Sequence, residues 1–200
     1  MARLNEGFVM RPFATNQSLS SKGWTARLGI ALVMSLVSVL AAVAASASAA
    51  TLTLPPVAGY HWTAAPKEFN SFQSSLTATG LVTAVLLKGA SDKKNVVQYV
   101  AMEAQYKKSI AAATDKTPLK KLLDGGVRGI QAMVGSNTKA TDYAIAGTHV
   151  REVTVNGISI VVTFLKGGKI LEIFGPTAKG TLNFSKAFLL SAKAHGQKLM

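Results

Sequence analysis

His61, His149 and His195 are the side chains of this chain best suited to bind a metal or move a proton near neutral pH. A zinc site wants at least three ligands, often with short His-x₃-His spacing that puts two on one helix face. That spacing is absent here. A site built from His61 and His149 with Glu68, Asp142 or Glu152 would depend wholly on the fold bringing them together. There is no cysteine, so thiol nucleophiles, cysteine-ligated zinc, disulfides and lipid attached to cysteine are excluded. A serine nucleophile needs a sharp elbow such as G-x-S-x-G; Gly135-Ser136 and Gly157-Ile158-Ser159 lack the second glycine. The carboxylates are scattered among lysines, with no D/E-x-D/E pair for acid–base work. Gly125-Gly126-Val127-Arg128-Gly129 lacks the G-x-x-x-x-G-K-[ST] pattern of a phosphate loop and follows a helical pattern, not a strand. A helix break explains it more simply. No catalytic, cofactor or metal residue is assigned, and the expectation is a non-enzymatic protein with no cofactor.

Cations and aromatics carry what signal is left. The chain has 22 Lys and Arg against 9 Asp and Glu, a formal charge of +13. Residues 1–50 hold four cations and Glu6, so 51–200 carry +10. Only Arg128 and Arg151 among the later cations are arginine. Lysine is a hydrated point charge without arginine's planar fork, so the excess points to diffuse attraction to anions. Lys93-Lys94, Lys107-Lys108 and Lys120-Lys121 are the candidate anion contacts, provided that they share a face. The bland alternative is a solvated surface that keeps the domain soluble. Tyr60 and Trp62 are candidate pocket or interface aromatics, or else staple a first strand to its core. Aromatic–basic interleaving of the kind that binds RNA is not visible, which speaks against a nucleic-acid partner.

The elements that would position these residues begin after residue 50. Residues 28–50 carry no charge, follow Arg3, Arg11, Lys22 and Arg27, and end in Ala45-Ser46-Ala47-Ser48-Ala49. This reads as an export signal, either cleaved at an A-x-A site or retained as a single membrane anchor, with a buried globular helix as the remaining alternative. The cations before it and the absence of charge until Lys67 place the body of the chain outside the cytoplasm in both cases. Three units are expected: 1–50 as signal or anchor, 51–59 with Pro55-Pro56 as linker, and 60–200 as one exported domain.

Within that domain, residues 64–76 read as a short helix with Phe69, Phe72 and Leu76 on one face. Residues 80–88 read as a strand; 95–106 also fits helical spacing through Val96, Val100 and Ala104, but its β-branched start and the polar turn 89–94 favour a strand paired with the first. Thr117-Pro118 opens a helix that Gly125-Gly126 breaks or kinks, and a second helical stretch runs over 127–134 to Gly135. Strands at 148–155, 158–165 and 170–174 form a meander, turned at Asn156-Gly157 and Gly167-Gly168. A last helix covers 182–194, with Phe184, Ala187, Phe188 and Leu190 or Ser191 inward, and Gly196 stops it. The fold class is α+β: an antiparallel sheet of about five strands covered by helices, preceded by a hydrophobic export helix.

The order of export segment, Pro-containing linker, hairpin, helix, meander and final helix over 28–196 resembles small exported domains of high-GC Gram-positive bacteria. Some of these have a PsbP-like sheet, so the resemblance implies that fold. It transfers no functional residue. The expected function is a module associating with an anionic envelope polymer, a lipid surface or a protein partner. A carrier of a small apolar ligand and an enzyme with an unrecognised site are the alternatives.

Overall fold

The computed structural model describes residues 52–134, 138–155 and 157–200, with backbone only at 71, 72, 75, 129 and 132–134. Residues 28–50 lie outside the described residues, and no described helix is long and apolar enough to cross a membrane.

Among the described residues seven antiparallel strands form one sheet, rather than about five: β1 (His61–Ala64), β2 (Val82–Ser91), β3 (Val97–Tyr106), β4 (Lys139–Ile145), β5 (Thr148–Val155), β6 (Ile158–Leu165) and β7 (Lys169–Gly175). Their spatial order is β1-β2-β3-β7-β6-β5-β4. The hairpin half and the meander half therefore join along β3 and β7, and β7 is central. The two added strands, β1 and β4, are the sheet's edges. Among the described residues four helices cover it: α1 (Asn70–Ala78), α2 (Lys108–Lys116), α3 (Leu119–Val134) and α4 (Ala178–Ala194). A single 3-10 turn, Lys67–Phe69, leads into α1.

Alternating side chains divide between two cores. One face buries Met102, Val153, Ile160, Val162 and Phe174 with Phe69 and with Leu123, Val127 and Ile130 of α3. The other buries Ala101, Val161, Leu171 and Ile173 under Phe184, Phe188, Leu189 and Ala192 of α4. The last helix begins at Ala178, capped by Thr177, whose side chain accepts from the Gly180 N–H. Its inward face is Phe184, Ser185, Phe188 and Leu189; Leu190 and Ala187 are exposed.

Gly125-Gly126 does not break α3, which runs unbroken from Leu119 to Val134. The apolar stripe of Leu123, Val127 and Ile130 buries against the sheet and outweighs the roughly 1 kcal/mol that each glycine costs a helix. Gly126 faces Val162, and a Cβ there would sit 3.8 Å from its Cγ1. Thr117 caps nothing ahead of it; its hydroxyl donates back to Ala113 O, closing α2. The turn expected at 89–94 starts later, at Asp92, because Gly89, Ala90 and Ser91 pair with Thr63, Trp62 and His61 of β1. Gly157 sits at φ +77 between β5 and β6, as a tight hairpin requires; Asn156 and Gly135 lie outside the described residues.

Residues 53–57 do not stand off as a free strip. Pro55 and Val57 are buried. Trp62 Nε1 donates to Pro55 O at 2.9 Å, and Gln197 Nε2 donates to Thr53 O at 3.1 Å.

Candidate functional site

The three lysine pairs do not converge. Lys93 and Lys94 are exposed on the β2–β3 turn. Asp92 builds that turn: Oδ1 accepts from Lys94 N at 2.8 Å and Val96 N at 3.1 Å, while Oδ2 accepts from Gln98 Nε2. The Val96 amide is the main cause that lowers the Asp92 pKa from its ordinary value. Lys107 and Lys108 lie at the other end of β3, about 30 Å away at about 3.3 Å per residue. Lys120 and Lys121 are exposed in the first turn of α3.

Tyr60 and Trp62 pack as staples. Tyr60 meets Tyr99 and Phe184 edge-on at 5.6 and 5.0 Å, and Trp62 meets Phe184 and Phe188 at 6.4 and 6.1 Å. Burial and the neighbouring Tyr60 push the Tyr99 phenol up to about 12. These aromatics fasten the chain before β1 to α4. His61, His149 and His195 sit on β1, β5 and the C-cap of α4. Among the described residues no group of three His, Cys, Asp or Glu could hold a metal ion.

Lysines do gather at one end of the sheet. Gln105 pairs with Lys169, so the end of β3 meets the start of β7. Lys107 and Lys108 follow at that end, beside the β6–β7 turn. Gln105 Nε2 donates to Gly167 O at 2.7 Å and Tyr106 N to Gly168 O at 3.0 Å. Asp115 of α2 caps the same turn, accepting from the amides of Gly167 and Gly168 at 3.0 to 3.2 Å. Gly168 sits at φ +67, and a Cβ there would lie 2.2 Å from Ala111 Cα. Only glycine satisfies both the turn and the approach of α2.

The chain's last residues complete this end. Lys166 N donates to Lys198 O at 2.8 Å, and Leu165 bridges Leu199. Between turn and tail lies an open groove of about 410 Å³, lined by Lys166, Lys169, His195, Gln197 and Lys198 with Leu165 and two glycines. Lys193 approaches the neighbouring β4–β5 turn, with Nζ 3.9 Å from where a Gly147 Cβ would be. Beneath the groove, Glu103 is fully buried and pairs with Lys169 at 2.8 Å. Gln197 Nε2 reaches its other oxygen at 3.5 Å. Lys107, Lys108, Lys166, Lys193 and Lys198 take no ion pair among the described residues. His195 hydrogen-bonds through Nδ1 to Ser191 O at 2.8 Å at the C-terminal end of α4.

Lys166, Lys169 and Lys198 were not among the sequence candidates. Lys166 and Lys169 were legible as flanks of the Gly167-Gly168 turn, but Lys198 joins them only through tertiary pairing.

A third charged group ties α3 to the sheet edge. Buried Arg151 donates through Nε and Nη2 to Asp142 of β4 at 2.5 and 2.9 Å, and through Nη1 to Asp124 of α3 at 2.5 Å. The hydrogen bond from Arg151 lowers the Asp142 pKa, and both carboxylates raise that of Arg151. The arrangement is a clamp between elements.

No protein-family model matches this chain, and neither the curated proteins nor the solved structures yield a significant match.

Proposed function

We propose that residues 28–50 direct export and that the folded part is a non-enzymatic module docking on an anionic envelope surface through the basic end of its sheet. One observation carries the reading: Lys107, Lys108, Lys166, Lys193 and Lys198 share that end, with no described ion pair to neutralise them. The nearby Asp115 is already engaged by two backbone amides. An array of mobile point charges suits a repeating anion, lipid or polymer, better than one planar ligand. Its reach is about 8–10 Å at ordinary ionic strength.

The test is co-sedimentation of the full chain with phosphatidylglycerol and phosphatidylcholine vesicles across a salt series. Binding is expected only to the anionic vesicles, falling as salt rises. Lys166→Glu with Lys198→Glu should weaken it at least tenfold, while Lys93→Glu with Lys94→Glu, at the opposite end, should change it less than twofold. Equal binding to both lipids, or indifference to reversal at the groove, would overturn the reading.

A further inference from the structure

The chain ahead of β1 is fixed along α4. Going backwards from β1, the Tyr60 ring packs on Phe184, the Pro56 carbonyl accepts from Ser191 Oγ, and the Thr53 carbonyl accepts from Gln197 Nε2 at 3.1 Å. The partners therefore advance from 184 to 191 to 197 while the strap falls from 60 to 53. Residues 53–60 run antiparallel to α4 and reach its C-terminal end. Leu54 and Val57 pack into the core that holds Phe184 and Phe188, and buried Pro55 has its carbonyl held by Trp62 Nε1. A segment held by its carbonyls at 53, 55 and 56 is a strap, not a spacer that lets the domain swing.

The strap ends at the basic groove. Gln197, which holds Thr53, also lines that groove with Lys166, Lys169 and Lys198. Lys193 stands on the last turn of α4 beside it. Lys169 is paired with Glu103, whereas Lys166, Lys193 and Lys198 take no ion pair among the described residues.

The uncharged run 28–50 stops three residues before Thr53. Its 23 residues suffice for a membrane span, which needs about 20. Three extended residues cover about 10 Å at most. That distance matches the reach of the groove lysines at ordinary ionic strength. A bilayer around residues 28–50 would bring its phosphates to the three unpaired lysines. The β2–β3 turn, with Lys93 and Lys94, lies at the other end of β3, about 30 Å further off.

We infer that the domain is seated groove end down on the bilayer that holds its own residues 28–50, with the strap fixing that orientation and the lipid phosphates of that bilayer facing Lys166, Lys193 and Lys198. This rests on the export and docking readings, and commits them to a retained anchor and to lipid. Tethering makes the lysine contacts intramolecular, so individually weak pairs are engaged at high effective concentration. The two contributions separate by salt. Strong salt removes the attraction of the lysines but leaves the short tether as it is.

The test uses the full chain reconstituted in vesicles of phosphatidylglycerol and phosphatidylcholine. With no native cysteine, one introduced cysteine labels a single place. Ala194→Cys, exposed at the end of α4, marks the groove end, and Lys93→Cys marks the far turn. Each carries a membrane-impermeant fluorophore, quenched by a lipid with a nitroxide on its headgroup. Quenching at position 194 should exceed that at position 93 at least threefold, in 0.1 M and in 1 M salt. A Gly-Ser insert after Thr51, with a span of about 20 Å, should leave that ratio nearly unchanged in 0.1 M salt and bring it close to one in 1 M salt. The inference is overturned if the wild-type chain leaves the vesicles in 1 M salt, if the two positions are quenched equally there, or if the insert never changes the ratio. Failure of the docking reading alone looks different: the wild-type ratio persists at both salt concentrations, and the insert abolishes it at both.

Discussion

Glu103 and Glu172 occupy adjacent strands one step apart: Glu103 pairs with Leu171, and Met102 pairs with Glu172. That one step turns them to opposite faces. Under α4, Glu103 is met by Lys169 and Gln197, both delivered by the groove end of the fold. Under α1 and α3, Glu172 has no ion pair among the described residues; its Oε2 makes no hydrogen bond, and neither does Glu103 Oε1, which has only the ion contact with Lys169. The same residue type, equally central, has a lysine beside it on one face and no ion pair among the described residues on the other. The face closed by the chain's last residues brings its own cation; the other has spent Arg151 on the edge.

Breaking the compensated side should have the largest effect. Lys169→Met leaves Glu103 buried without its cation and should destabilise the fold by about 4 kcal/mol near neutral pH. Urea unfolding would show it, and adding Glu103→Gln should recover most of the loss. If Lys169→Met is neutral, Glu103 is not held by the pair.

Glu172 should respond in the opposite direction. Its pKa is raised from 4.5 to about 7 by burial. The folded state therefore holds its proton more tightly than the unfolded chain. The associated stability is fully present below about 4.5 and is lost as pH rises through 7. Glu172→Gln should add about 3 kcal/mol at pH 8 and almost nothing at pH 4. A Tm series from pH 4 to 8 would test this, and parallel curves for variant and wild type would contradict it.

The smallest effect belongs to Arg151. Its partners Asp124 and Asp142 have half-exposed side chains, so Arg151→Met returns them to water. A loss of about 1 kcal/mol is expected at pH 7. Because the Asp142 pKa is lowered in the fold, the difference should fade as pH drops below the carboxylate range. Chemical denaturation at pH 7 and pH 3 would compare the two.

These contrasts mark what the sequence could reveal. β5 and β6 were legible to the residue, because β-branched runs end at Gly157 and at Gly167-Gly168. The edge strands were not. β4, KATDYAI, is exposed along most of its length and so lacks an apolar period. β1 is four residues long. Helix α2, KSIAAATDK, buries only Thr114 fully and offers little apolar stripe to read. The glutamates were invisible for a different reason. A polar residue in an alternating strand reads as solvent-facing, which fails once helices cover both faces. The lysine pairs were found by adjacency in sequence, but the basic groove is assembled by pairing Leu165 with Leu199 across the fold.

The β3–β7 seam also governs how the chain reaches this structure. Every other strand pair joins neighbours in sequence. Only the seam is remote: Gln105 meets Lys169 and Val100 meets Phe174, across 64 and 74 residues. The hairpin half and the meander half can each form from local contacts, but the seam must close a long loop before any of its pairs is rewarded. Until then β3 and β7 each present an unpaired edge, the form of backbone most prone to pair with another molecule. Refolding yield should therefore fall with protein concentration, at a point set by the rate of seam closure.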